Sequence, residues 1–222
     1  YSGGNGRRLN HQGTGTWSGA GISCGHGPQF NNSGTLDLLG DFAFTFAGGT
    51  GAPQFNNTGI LNLTSGADFS LTTAYFNNSS NVTITAGSLT VGSGSIGTNT
   101  GTLNLDAASF LQFSGAVLDL AGKVIAPGNN SLRFAGTTAY ITTTNIASPS
   151  FWQQGGTLYQ TTNFVVPSFN QQNGTFYSTL PVAFATYNMT NGELRGANVI
   201  ITNFNWLGGS LNSENAGSNS VT

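Results

Sequence analysis

The chain has 222 residues, with five Lys and Arg against seven Asp and Glu, 33 Gly and 16 Phe. So few charges leave no basic face to neutralise a phosphate backbone, which excludes nucleic acid as a partner, and no apolar run reaches the length of a membrane span. Glu and Lys are almost absent while Thr, Val, Ile and Phe abound, which argues against a helical protein, and the apolar content is too high for a disordered one.

Tyr1 opens the chain without a methionine, and Thr222 closes it in a Ser/Asn-rich run, as expected of a processed piece of a longer extracellular chain. Cys24 is the single cysteine, so no intrachain disulfide can form; a buried, inert thiol is expected there.

From residue 30 onward the chain repeats itself, and repetition is the first thing to look for. Phe30-Asn31-Asn32-Ser33-Gly34-Thr35-Leu36-Asp37-Leu38 returns from Phe55, from Phe76 and, altered, from Gly97, at steps of 25, 21 and 21 residues. The longer first step holds the turn formers Gly48-Gly49-Thr50-Gly51-Ala52-Pro53. Residues 113–150 repeat poorly and form an irregular middle. A second version then runs from Phe151-Trp152-Gln153-Gln154-Gly155-Gly156-Thr157-Leu158 through Phe169, Tyr187 and Phe204, at steps of 18, 18 and 17.

Within the repeats, Leu36 and Leu38, Leu61 and Leu63, Val82 and Ile84, and Leu103 and Leu105 alternate with polar residues, the period of a strand with one buried face. Phe42, Phe44 and Phe46, then Phe69 and Leu71, Leu89 and Val91, and Leu111 and Phe113 give a further strand per repeat. Two or three short strands in 17–25 residues predict one coil of a parallel β-helix, whereas a propeller blade needs about 40 residues. The expected fold is an all-β, right-handed parallel β-helix of about ten coils, a single domain over residues 1–222.

Coils stacked about 4.8 Å apart place residues one period apart on top of each other. Asn32, Asn57, Asn78 and Asn99 are therefore expected to form a ladder of side-chain amides. Gly34, Gly59 and Gly101, and later Gly156, Gly174, Gly192 and Gly209, are expected at a corner with positive φ or crowded backbones, although Ser80 interrupts the first column. Like charges stacked this way would repel, which accounts for the low charge content.

Gly15-Thr16-Trp17-Ser18-Gly19-Ala20-Gly21-Ile22-Ser23, the Phe-Asn-Asn-Ser-Gly-Thr-Leu phrases, Met189-Thr190-Asn191-Gly192-Glu193-Leu194-Arg195-Gly196 and Asn205-Trp206-Leu207-Gly208-Gly209-Ser210-Leu211 resemble the β-helical repeat arrays of secreted bacterial surface proteins, found in adhesin-like and autotransporter-passenger contexts. The likeness covers most of residues 14–215 and is weakest in the middle. It implies a structural or adhesive role at the cell surface and carries no catalytic residues.

Enzymes on such folds gather acids with Lys or Arg on one outer face to bind a uronate and move a proton. Here the candidates are Asp106, Asp119, Lys123 and Arg133, read as scattered, solvated charges; Asp37 and Asp41 would flank a glycosidic bond only if their registers converged. His11 and His26 lack acidic or Cys partners at ligand spacing, so neither metal nor cofactor is expected. Gly92-Ser93-Gly94-Ser95-Ile96-Gly97 matches the dinucleotide fingerprint but precedes a strand, so it is a chance match. Thr142-Thr143-Thr144 invites comparison with ice-binding β-helices, but the column of Thr35, Ile60 and Thr102 is too mixed for a regular Thr array.

Candidate glycosylation sequons begin at Asn31, Asn56, Asn62, Asn77, Asn78, Asn81, Asn129, Asn173 and Asn188. Either these amides carry sugar where the edge faces solvent, or they are used within the stack. Trp152, Tyr159 and Tyr177 are expected mainly in the core, with an outward, sugar-binding placement as the alternative.

The expectation is thus a non-enzymatic extracellular stalk, fibre or adhesin segment. Its partners would be coils of the same longer chain, further copies stacked end to end, or surface glycans. A polysaccharide-binding or polysaccharide-cleaving β-helix is the alternative.

Overall fold

The computed structural model describes residues 6–19, 21–64, 66–163, 165–196, 199–212 and 220–221. Tyr1, Thr222 and Ala20, named above, lie outside them.

Period-2 alternation decides the local structure. In Gln29–Asn32 and Thr35–Leu38, Phe30, Asn32, Leu36 and Leu38 are buried while Gln29, Asn31, Thr35 and Asp37 are partly exposed. Four-residue strands of this kind wind into an all-β, parallel solenoid of about ten turns. Among the described residues there is no helix long and apolar enough to cross a membrane.

Three parallel sheets form the walls. The first has eleven strands, from Arg8–His11 to Ser210–Asn212; the second has seven, from Thr14–Trp17 to Ile146–Ala147; the third has eleven, from Ile22–Gly25 to Ser220–Val221. Register follows the repeats: Phe30 pairs with Phe55, Phe55 with Phe76 and Phe76 with Gly97, and Asn32, Asn57, Asn78 and Asn99 pair in the same order.

The middle stretch is more regular than its wording suggests. Ile96 pairs with Val117 and Val117 with Thr138, so the 21-residue step continues to Thr138 before shortening to 19 at Thr157. The phrase fades because Leu118 and Leu120 stand where Phe and Asn stood, whereas the backbone ladder asks only for alternation.

The later phrases do not continue the earlier ones, which is a correction to the sequence reading. Phe151, Phe169, Tyr187 and Phe204 superpose, but in the third sheet, and their strands turn the corner into the first sheet. Phe30, Phe55 and Phe76 lie in the first sheet and lead into the second. Among the described residues the second sheet stops at Ile146–Ala147, so each later turn needs only two strands and the step shortens to 18. One string serves both corners because the requirement is the same: an inward aromatic, an inward amide that bonds the corner carbonyls, then glycine.

The glycine columns accordingly differ. Gly101 keeps an ordinary φ, but a Cβ there would lie 2.1 Å from the Ser80 carbonyl oxygen. Gly174 has φ +90°, and its Cβ would also meet the Gly156 oxygen at 2.4 Å. Between the walls the aromatics stack from turn to turn. Phe30 and Phe55 lie 4.9 Å apart and 4° from parallel, and Phe169 and Tyr187 lie 5.1 Å apart and 9° from parallel. Each buried Phe contributes about 1.5–3 kcal/mol.

Candidate functional site

Buried polar groups must be bonded, and here they are bonded to their own counterparts one turn away. Asn32 Nδ2 donates to Asn57 Oδ1 at 2.7 Å, Asn57 to Asn78 at 2.8 Å, and Asn78 to Asn99 at 2.7 Å. The Asn32 and Asn57 amides also donate to the corner carbonyls of Ile60 and Asn81. His11 Nδ1 lies 2.8 Å from Asn32 Oδ1 and must donate to it, because an amide oxygen can only accept.

A second ladder, not read from the sequence, runs outside the first. Asn31 donates to Asn10 at 2.7 Å, Asn56 to Asn31 at 2.8 Å and Asn77 to Asn56 at 2.8 Å. Its signal was available: the neighbouring Asn of each phrase has the same spacing and the opposite facing.

These ladders bear on the sequons. Asn78 is 2% exposed and belongs to the inner ladder, which leaves no room for sugar in the folded stack. The amides of Asn31, Asn56 and Asn77 are bonded to each other, and Asn62 donates to Asp37 Oδ1 at 2.7 Å. Asn81, Asn129 and Asn173 are exposed, while Asn188 is partly buried.

The four charged candidates do not converge. Asp119 is on a first-sheet strand, Lys123 on a second-sheet strand and Arg133 on a third-sheet strand. Asp106 ties down a turn: it accepts the Ser109 hydroxyl at 2.6 Å and the Ala86 and Ala108 amides at 3.0 Å. These bonds, the Ser109 hydroxyl foremost, hold its carboxyl below the usual carboxylate value. Asp37 is bonded to Asn62, and Asp41 accepts the Asp68 amide. Among the described residues no three His, Cys, Asp or Glu side chains come together as metal ligands.

Among the described residues, a hollow of about 680 Å³ is the mouth of the first turn, lined by Leu9, Ile22, Cys24, Phe30 and Phe44 among others. It is the end of the core. Cys24 lies there, and burial pushes its thiol pKa up, away from the reactive thiolate.

A smaller hollow, about 270 Å³, lies on the third sheet and is lined by Asn130, Trp152, Asn170, Gln172, Asn188 and Thr190, with Gln171 at its base. Register builds it. Arg133, Trp152, Asn170, Asn188 and Asn205 occupy one column, each in turn paired with the next. The Arg133 guanidinium sits 4.4 Å from the ring centre of Phe110 and 5.4 Å from that of Trp152, and its Nε donates to the Asn130 carbonyl at 2.8 Å. Asn205 donates to Asn188 at 2.6 Å, Asn188 to Asn170 at 2.7 Å, and Asn170 to Asn130 Oδ1 at 3.4 Å.

No family model, curated protein or solved structure matches this chain. Its function must therefore be read from these residues.

Trp152, Tyr159 and Tyr177 are not core residues, contrary to expectation. Each alternates with buried neighbours and is itself partly exposed. Tyr140, Tyr159 and Tyr177 form an outer column on the first sheet, with ring centres 5.0 and 5.8 Å apart. Tyr140 and Tyr159 cover each other's faces at 10° from parallel, whereas Trp152 borders a hollow. The phrase repeats mark Trp152 and Asn170, but nothing in them marks Phe110 or Asn130.

Proposed function

We propose that this chain is a non-enzymatic extracellular structural or adhesive segment, a stiff β-solenoid that presents its outer faces to partners. The observation that carries this reading is the turn-on-turn bonding of its polar side chains. Inward amides hold the corners, outward amides bond to one another, and the candidate charges Asp119, Lys123 and Arg133 stand on three separate walls. Catalysis of hydrolysis or elimination needs an acid and a base within reach of one bond. A stack stabilised by repetition suits length and stiffness instead. The resemblance to secreted surface arrays supports an extracellular setting, and turn-on-turn stacking suits continuation in a longer chain or end-to-end association.

A panel of immobilised polysaccharides tests the reading. Retention of the chain without release of new reducing ends is expected. Release that disappears in Asp106→Asn or Asp119→Asn would overturn the non-enzymatic reading in favour of a polysaccharide-cleaving β-helix. Electron microscopy at rising concentration tests self-association, with end-to-end rods expected and isolated particles throughout counting against it.

A further inference from the structure

We propose that the hollow beside Trp152 binds a carboxylated polysaccharide, its chain running along the solenoid axis over Arg133, Trp152, Asn170 and Asn188. The inference rests on the adhesive reading above and names its partner.

Three features of the hollow and of the Arg133 side chain beside it point to this ligand. The first is charge. Arg133 is the sole Lys or Arg on the third-sheet strands. Its Nε is satisfied by the Asn130 carbonyl, while its terminal nitrogens have no hydrogen-bond partner among the described residues. The guanidinium lies over the rings of both Phe110 and Trp152, contacts that orient it for a carboxylate before binding. Asp68, the acid on the same sheet, is already bonded to the Ser88 hydroxyl at 2.6 Å.

The second feature is periodicity. In the ladder Asn170 and Asn188 each use one N–H and one oxygen lone pair along the column, and Asn205 uses one N–H. The second N–H and lone pair remain for hydroxyls. These groups recur once per turn, about every 4.8 Å, close to the advance of one pyranose ring in an extended polysaccharide. Trp152 offers an aromatic surface to the C–H face of a ring. Neutral amides in a row, one aromatic and one fixed cation suit a chain of hydroxyls carrying carboxylates.

The third is rigidity. Asn130 holds φ +58°, its backbone N–H is bonded to Ser150 Oγ at 2.8 Å, and its side chain accepts from Asn170. The wall of the hollow is thus set by the fold.

Calorimetric titration of the full chain with oligogalacturonate, its methyl ester and a sulfated oligosaccharide tests the proposal. Binding of the free acid is expected, weakened about tenfold or more by esterification, by Arg133→Gln and by Trp152→Ala. Arg133→Lys should recover only part of the loss, and Tyr159→Ala on the first sheet should bind as the parent does. Circular dichroism and melting of each variant establish that it folds; should Trp152→Ala not fold, Arg133→Gln and the ester carry the test. Equal binding of acid and ester, equal binding of acid and sulfated chain, or undiminished binding by Arg133→Gln would overturn the site. If such an insensitive variant is still retained by the polysaccharide panel, the adhesive reading stands without this site. If no polysaccharide retains the parent chain, glycan adhesion falls as well.

Discussion

Asn77 and Asn78, adjacent in sequence, donate their side-chain amides in opposite directions along the solenoid: Asn77 back to Asn56, Asn78 forward to Asn99. The inner direction is imposed, because the nitrogens of Asn32 and Asn57 must also reach the corner carbonyls of Ile60 and Asn81. With the outer ladder reversed, the two rows of aligned amide dipoles oppose each other and largely cancel.

The two ladders should differ sharply in energetic weight. Asn57→Ala removes one buried bond each from the Asn32 nitrogen, the Asn78 oxygen and the Asn81 carbonyl, and should cost about 2–4 kcal/mol. Asn56→Ala removes equivalent bonds where water can replace them, and should cost under about 1 kcal/mol. Urea denaturation of both variants reads the difference.

Glycine replacements separate strain from collision. Gly48 has φ +106°, and a Cβ there would meet nothing within 4 Å, so Gly48→Ala should cost about 1–2 kcal/mol from backbone strain alone. Gly174→Ala adds a clash with the Gly156 oxygen and should cost clearly more. Gly101→Ala, with ordinary φ and the Ser80 oxygen in the way, should also exceed Gly48→Ala. Melting temperatures of the three variants rank them.

Tyr187 donates its hydroxyl to Gln171 Oε1 at 2.8 Å inside the core, and burial pushes its pKa well above the ordinary value. The unfolded chain then loses this proton near pH 10 while the folded chain keeps it. Stability from this group is full below about pH 10 and declines as pH rises further. Phenolate absorbance should show Tyr187 ionising only as the protein unfolds. Tyr187→Phe should remove that alkaline decline while costing about 1–3 kcal/mol at neutral pH through the orphaned Gln171 oxygen.

Asp106 has the opposite sign. Its folded pKa is lowered, so its contribution is present above the ordinary carboxylate value near 3.9 and is lost as pH falls through the lower folded value. Asp106→Asn should flatten the acid limb of a stability–pH profile. A change in polysaccharide chemistry in place of a change in stability would reassign the residue.

What the sequence made legible was superposition. The recurring phrases around Asn32, Asn57, Asn78 and Asn99, and around Phe151, Phe169 and Tyr187, specify which residues meet, since one turn consumes one repeat. Spacing does not specify which wall a residue occupies. The string around Asn32 and the string around Gln153 look alike because both end a strand at a tight corner, yet they sit at different corners. Facing was harder for Trp152, Tyr159 and Tyr177, whose size suits a core but whose alternation points outward. The Arg133 site joins Phe110 and Asn130 from outside any phrase, so no repeat could reveal it.

Turns of 25, 21, 18 and 17 residues all stack strand on strand, so the molecule is a ruler graduated by the height of a turn and not by its residue count. Excising or duplicating one whole graduation rejoins like with like and alters length alone. Losing a single residue within a strand instead turns the rest of that strand to the wrong side of its wall, whereas a corner can absorb the loss, as it does where the step falls from 18 to 17 between Tyr187 and Phe204. Such a gene can be lengthened or shortened readily, in whole units only.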